Sequence, residues 1–75
     1  MVDLEQEARR YAVVIVPDPD EDYIAQIPGF PTIYTNGHTP EEALANAYDA
    51  IALSLAWYYE NGKQPPAPIP VSLAA

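Results

Sequence analysis

Two hydrophobic periods divide this chain. From Arg10 the run Tyr11-Ala12-Val13-Val14-Ile15-Val16 is rich in β-branched residues and apolar at odd and even positions alike, and Pro17 stops it. That pattern predicts a central strand covered on both faces. Asp18-Pro19-Asp20-Glu21-Asp22 is all turn chemistry, and Tyr23-Ile24-Ala25-Gln26-Ile27 follows as a second strand, giving a β-hairpin. Pro28-Gly29 predicts a type II turn with positive φ at the glycine, and Thr32-Ile33-Tyr34-Thr35 a third strand ended by Asn36-Gly37.

The period then changes to that of a helix. Thr39-Pro40-Glu41-Glu42 offers an N-cap threonine, proline at the first helical position and glutamate at N3. No breaker follows until Asn61-Gly62, with Lys63 near the negative end of the dipole, so the helix runs to about Glu60 and is about 30 Å long. Leu44, Ala47, Tyr48, Ile51, Leu55, Tyr58 and Tyr59 fall in one stripe about 120° wide, which is assigned to the sheet. Leu53 and Trp57 stand four apart on the opposite side, among Asn46, Asp49 and Glu60. Nothing in a single layer covers them.

The fold class expected is α+β: a three-stranded antiparallel meander with one long helix packed on it. Residues 1–75 are read as a single domain, comprising a polar segment 1–9, a β-β-β-α core 10–62 and a Pro-rich tail 63–75. In the first segment Leu4 and Ala8 are spaced for a short helix, an assignment left open. Gln64 to Pro70 predicts extended polyproline II, and Val71 to Ala75 a C-terminal edge strand or a fold-back.

Size and charge narrow the function. A chain this short buries only about 60% of its unfolded surface, so self-association or a partner is expected to add stability. Arg9, Arg10 and Lys63 are outnumbered by 11 acidic residues, for a formal net charge of −8. That field opposes a phosphate backbone, which excludes direct nucleic-acid binding, including by double-stranded-RNA modules, and favours a cationic protein partner. The chain has no cysteine, its longest apolar run is far too short for a membrane span, and its N-terminus is acidic. A cytoplasmic location is expected.

Candidate chemistry is sparse. Asp18, Asp20 and Asp22 have the alternate spacing of the first ligands of a calcium loop, but the sixth position is Tyr23 and the twelfth Gly29, where glycine and glutamate belong. No metal site is expected. Two-metal nuclease chemistry needs carboxylates converging from separate elements, whereas these share one turn, and His38 has no nucleophile to serve. No catalytic residue and no cofactor are assigned. For Leu53 and Trp57 two readings stand: the tail covers Trp57, or the pair contacts another chain.

Three segments together resemble the HicB-like antitoxin family: Tyr11 to Asp18, Tyr23 to Phe30 with Pro-Gly after the second strand, and Gly37-His38-Thr39-Pro40-Glu41-Glu42-Ala43 leading into the helix through Ala50-Ile51. The likeness continues to Gly62-Lys63-Gln64-Pro65-Pro66-Ala67-Pro68 and spans roughly Arg10 to Pro70. It implies a partial ribonuclease-H-like fold without catalytic carboxylates, and inhibition of a small basic RNA-cleaving toxin of the HicA type by occlusion. Many members also carry a C-terminal helix-turn-helix or ribbon-helix-helix domain. Residues 1–75 show no counterpart, so the sequence leaves DNA-binding autoregulation open. Asp18, Asp20, Asp22, Leu53 and Trp57 are the candidate contacts to a toxin or to further copies in a homodimer or higher oligomer. A stand-alone structural or regulatory homo-oligomer without a toxin is the alternative.

Overall fold

Local turn chemistry sets the register of the sheet. In the computed structural model, which describes residues 3–20 and 22–69, the Asp18 amide donates to the Asp22 carbonyl at 2.7 Å and the Asp20 amide to Asp18 Oδ1 at 3.0 Å. This closes the hairpin between β1 (Val14–Pro17) and β2 (Tyr23–Gln26) with Val16 opposite Ile24. Strand β3 (Tyr34–Gly37) pairs antiparallel on the far side of β2, Ala25 opposite Thr35. Helix α2 (Pro40–Glu60) packs across the sheet, and a short α1 (Leu4–Ala8) packs against α2. The α+β meander-and-helix architecture is therefore the one expected.

The ends of α2 follow their sequence signals. Thr39 Oγ1 accepts from the Glu42 amide at 3.0 Å. At the other end Gly62 sits at φ 63°, its amide donating to Tyr59 and that of Lys63 to Tyr58, the two bonds of a Schellman cap. Helix α1 settles the open N-terminal assignment: Asp3 Oδ1 accepts from the Glu5 and Gln6 amides, and Arg9 lies 5.1 Å from the Tyr48 ring centroid.

The strands depart from expectation in three places. Strand β1 is an edge, because the order is β1-β2-β3 and β2 is central. Its first apolar residues leave the ladder; Tyr11 turns in from α1, its amide bonded to Ala8, and is 3% exposed. The third strand begins two residues late, since Ile33 donates to Phe30 and a turn consumes Thr32 and Ile33; Asn36 and Gly37 lie inside it. The turn at Pro28-Gly29 is closed by Phe30 donating to Ile27, but Gly29 lacks positive φ, so it is not type II. What Gly29 supplies is room: a Cβ there would lie 2.8 Å from the Tyr11 ring.

The core lies between helix and sheet: Ala43, Ala47, Ile51 and Leu55 from α2 meet Ala25 and Ile27, and Ala8, Tyr11 and Phe30 close one end. The Phe30 ring packs 4.9 Å from Tyr11 and 6.2 Å from Tyr58 between centroids. The buried stripe thus keeps Ala47, Ile51 and Leu55 of the one expected and is rotated toward Ala43. It takes in Ala43, while Leu44 is half-buried and Tyr59 is 42% exposed, its hydroxyl hydrogen-bonded to Glu7 of α1.

Candidate functional site

The acidic turn forms one end of the molecule. Asp18 and Asp22 are half-buried and Asp20 is exposed. Their arrangement is a solvated hairpin turn, not a chelating loop: Asp18 holds the turn by accepting from Asp20, and Asp22 Oδ1 lies 3.1 Å from His38 Nδ1. Among the described residues no group of three or more His, Cys, Asp or Glu converges on a point where a metal ion would sit. His38 precedes α2, where its amide donates to Glu42 Oε1 at 3.3 Å, so the turn and the helix N-terminus form one acidic surface with Asp20, Asp22, Glu41 and Glu42.

Leu53 and Trp57 occupy the other end. They are 76% and 50% exposed, and the Trp57 indole meets Tyr58 edge-on at 5.2 Å and the Lys63 ammonium 5.3 Å from its ring centroid. The reading in which the tail buries Trp57 does not hold as far as Ile69. From Lys63 the chain runs instead toward Tyr11, whose hydroxyl donates to the Pro66 carbonyl, and passes Gly29 at Ala67. Pro70 and the expected edge strand at Val71 to Ala75 lie outside the described residues. Along α2 the acidic turn and Trp57 are about 25 Å apart at ~1.5 Å per residue, so the two candidate patches do not form one site.

Sequence reasoning missed a third surface. In the register of the sheet Val14, Gln26 and Tyr34 form one row and Val16, Ile24 and Asn36 the next, both on the face away from α2. Val14 is 38%, Val16 37% and Tyr34 69% exposed, so the expected second cover over β1 is absent among the described residues. A groove of about 320 Å³ continues this face past Tyr34 to Pro28 and Pro31. The signal was in the sequence: residues 11–17 and 23–40 contain no Asp, Glu, Lys or Arg, so every formal charge falls on α1 and its flanks, the acidic turn, α2 or Lys63. The strands themselves are uncharged, and the carboxylates of the sheet layer are confined to the hairpin turn at the end of β1 and β2.

The tail contact titrates. Burial, reinforced by the Glu7 carboxylate, raises the Tyr11 pKa above 10.0, and accepting the Tyr59 proton lets Glu7 raise that phenol too. A group whose folded pKa lies above its unfolded value stabilises fully below the unfolded value and loses that contribution as pH rises through the folded one. Stability is expected to be flat from neutrality to about pH 10 in this respect and to fall above it. Urea melts of wild type and Tyr11→Phe/Tyr59→Phe across that range test this; an equal alkaline loss in both would remove these phenols as its source.

With this geometry in place, comparison with known proteins is decisive. A family model described as a HicB-like antitoxin of a bacterial toxin-antitoxin system matches residues 11–75. The chain belongs to the HicB-like antitoxin family. Among curated relatives, antitoxin HicB 1 of Photorhabdus laumondii is 37% identical over 62 residues, covering 83% of this chain and 40% of that protein. Antitoxin HicB of Escherichia coli K12 is 32% identical over 63 residues, covering 84% of this chain and 46% of its own length. A UPF0150 protein of Thermoplasma acidophilum is 40% identical over 42 residues, 56% of this chain and 61% of that one. The chain therefore spans less than half the length of the two HicB relatives. No helix of the described residues is long and apolar enough to cross a membrane.

Proposed function

We propose that this HicB-like domain acts by binding and not by catalysis: in the cytoplasm, and without cofactor, metal or direct nucleic-acid contact, it neutralises a small basic RNA-cleaving toxin of the HicA type. The observation that carries the reading is the match to the antitoxin family in a chain of net charge −8. Carboxylates held on the acidic turn and the first turn of α2 complement the cations with which an RNA-cleaving protein holds phosphate, and the bound domain denies RNA that surface. Asp18 fixes the turn, Asp20 and Asp22 present the charge, and Leu53 with Trp57 offers an apolar anchor at the far end of the same helix.

The test is co-purification with any small basic protein encoded beside this chain, or with a HicA-type toxin supplied in trans, followed by an RNA-cleavage assay of the complex. The expected result is a salt-sensitive complex without ribonuclease activity, with Asp20→Asn/Asp22→Asn weakening binding about tenfold, ~1.4 kcal/mol, mainly through the on-rate. Trp57→Ala is expected to act on the off-rate instead. If no complex forms while the domain alone assembles into a stable oligomer, the alternative of a homo-oligomer without a toxin replaces this reading; the uncovered Leu53, Trp57 and sheet face are what favour it.

A further inference from the structure

We infer that the cleft beneath the Pro-rich segment is a binding site for a small organic cation, a guanidinium or alkylammonium group. Residues 63–69 leave α2 at the Gly62 cap and arch over to Tyr11, whose hydroxyl donates to the Pro66 carbonyl, while Ala67 passes Gly29. Between this arch and the two helices lies an open cleft of about 540 Å³, bordered on the helical side by Glu7 of α1 and Tyr59 of α2. That volume falls in the range of small-molecule sites, which pair apolar walls with a few convergent polar groups. Here proline rings form the wall, and one carboxylate with two phenols supplies the polar groups.

Hydrogen-bonding capacity selects the charge of the ligand. Pro65, Pro66 and Pro68 have no N–H, so the arch offers mainly carbonyl oxygens. Glu7 Oε1 accepts from the Tyr59 hydroxyl, and a carboxylate has room for further donors on both oxygens. Each phenol, having given its proton to an oxygen, presents its own lone pairs. A surface rich in acceptors and poor in donors leaves an anion unpaired and satisfies a group that only donates, as ammonium and guanidinium groups do. The neighbouring cations do not fill the role: the Lys63 ammonium stands 5.3 Å from the Trp57 ring centroid, and Arg10 borders a different recess, with Asp3 and Gln6. Both side chains whose titration the fold displaces border this cleft. Burial and then the Glu7 carboxylate raise the Tyr11 pKa, and the hydrogen bond to Glu7 raises that of Tyr59, so the cleft carries a negative field that a cation relieves. A free amine and an arginine side chain of another protein share this chemistry.

The experiment is an NMR titration of the whole chain, followed through its backbone amides, with ethylguanidinium as the free cation. N-acetyl-glycyl-arginyl-glycinamide supplies the same group from a peptide, and urea serves as the uncharged control. Saturable shifts at Glu7, Tyr59, Gln64 and Ala67 are expected with the cations and none with urea. Glu7→Gln is expected to weaken binding about tenfold, because a neutral hydrogen bond replaces a charge-assisted one. Asp20→Asn removes the same charge from the distant turn and is expected to change affinity by no more than about twofold, since exposed charges beyond a Debye length are screened. Tyr11→Phe releases the arch and is expected to weaken binding with an unchanged far-UV circular dichroism spectrum. With ethylguanidinium bound, the Tyr59 phenol is expected to ionise at lower pH in an ultraviolet titration, since the cation competes with its proton for Glu7, and Tyr59→Phe should lack that shift. Binding of the peptide alone assigns the cleft to a protein's arginine, and binding of ethylguanidinium alone to a free amine. Equal losses in Glu7→Gln and Asp20→Asn would reduce the effect to diffuse attraction by an acidic protein and overturn the site. Silence of both cations overturns it as well. Neither result bears on toxin neutralisation, which is read from other surfaces.

Discussion

Gly37→Ala is expected to destabilise the domain by about 3 kcal/mol, near the upper end for overpacking by a single methyl group. Gly37 is the last residue of β3, pairs with Tyr23, and is buried beneath the first turn of α2. A Cβ built there runs into the Ala43 amide nitrogen and lies 2.8 Å from the Glu42 carbonyl carbon and 2.9 Å from Ala43 Cα. All three are backbone atoms, so no side-chain rotation relieves the clash. The helix must move off the strand, which strains the Thr39 cap, the Asp22–His38 contact and the bond from Asn46 Nδ2 to the Asn36 carbonyl at 2.8 Å. Urea unfolding gives the measurement, with Gly62→Ala as the contrast: Gly62 has nothing within 4 Å of a built Cβ, and alanine there bears only the cost of its φ of 63°, about 1 kcal/mol. Equal effects at the two glycines would mean that helix and strand are not in the close contact described here.

That contact shows where the sequence was legible and where it was not. Signals contained within a few residues were readable: the Thr39-Pro40-Glu41-Glu42 cap, the Asn61-Gly62-Lys63 stop and the hairpin around Asp18 to Asp22 each specify their own hydrogen bonds. Signals that depend on what lies across the fold were not. Apolarity on both faces of Tyr11 to Val16 indicates two surfaces that avoid water, but not whether the second is covered by this chain or by another; the structure leaves it open and makes β1 an edge. Glycine before the helix read as the end of a strand, whereas its role is to let Ala43 approach. The pairs Asp22 with His38 and Glu7 with Tyr59 link residues far apart in sequence, and no local pattern announces them. For the candidate site, exposure of Leu53 and Trp57 followed from the helical wheel. The separation of that ridge from the acidic turn followed equally from helix length, at ~1.5 Å per residue. The stretch without charge from Tyr23 to Pro40 was in plain view, but only the register shows that Ile24, Gln26, Tyr34 and Asn36 share a face with Val14 and Val16 while Ala25 and Thr35 turn to the helix.

Leu55→Ala is expected to cost about 2 to 5 kcal/mol, because Leu55 and Ile51 are the largest fully buried side chains and truncation adds a cavity to the lost transfer energy. A 75-residue domain is stable by roughly 4 to 11 kcal/mol, so this substitution takes the isolated monomer close to its unfolding threshold. The consequence for function follows from mass action. Any species that binds only the folded chain restores stability in proportion to the logarithm of its concentration over Kd. Leu55→Ala is therefore the background in which weak association becomes visible: its melting temperature should climb with the concentration of an added basic partner that binds the folded domain. If the single variant melts within 1 kcal/mol of wild type, the helix–sheet core is looser than its complete burial implies, and the cost assigned to Gly37→Ala falls with it.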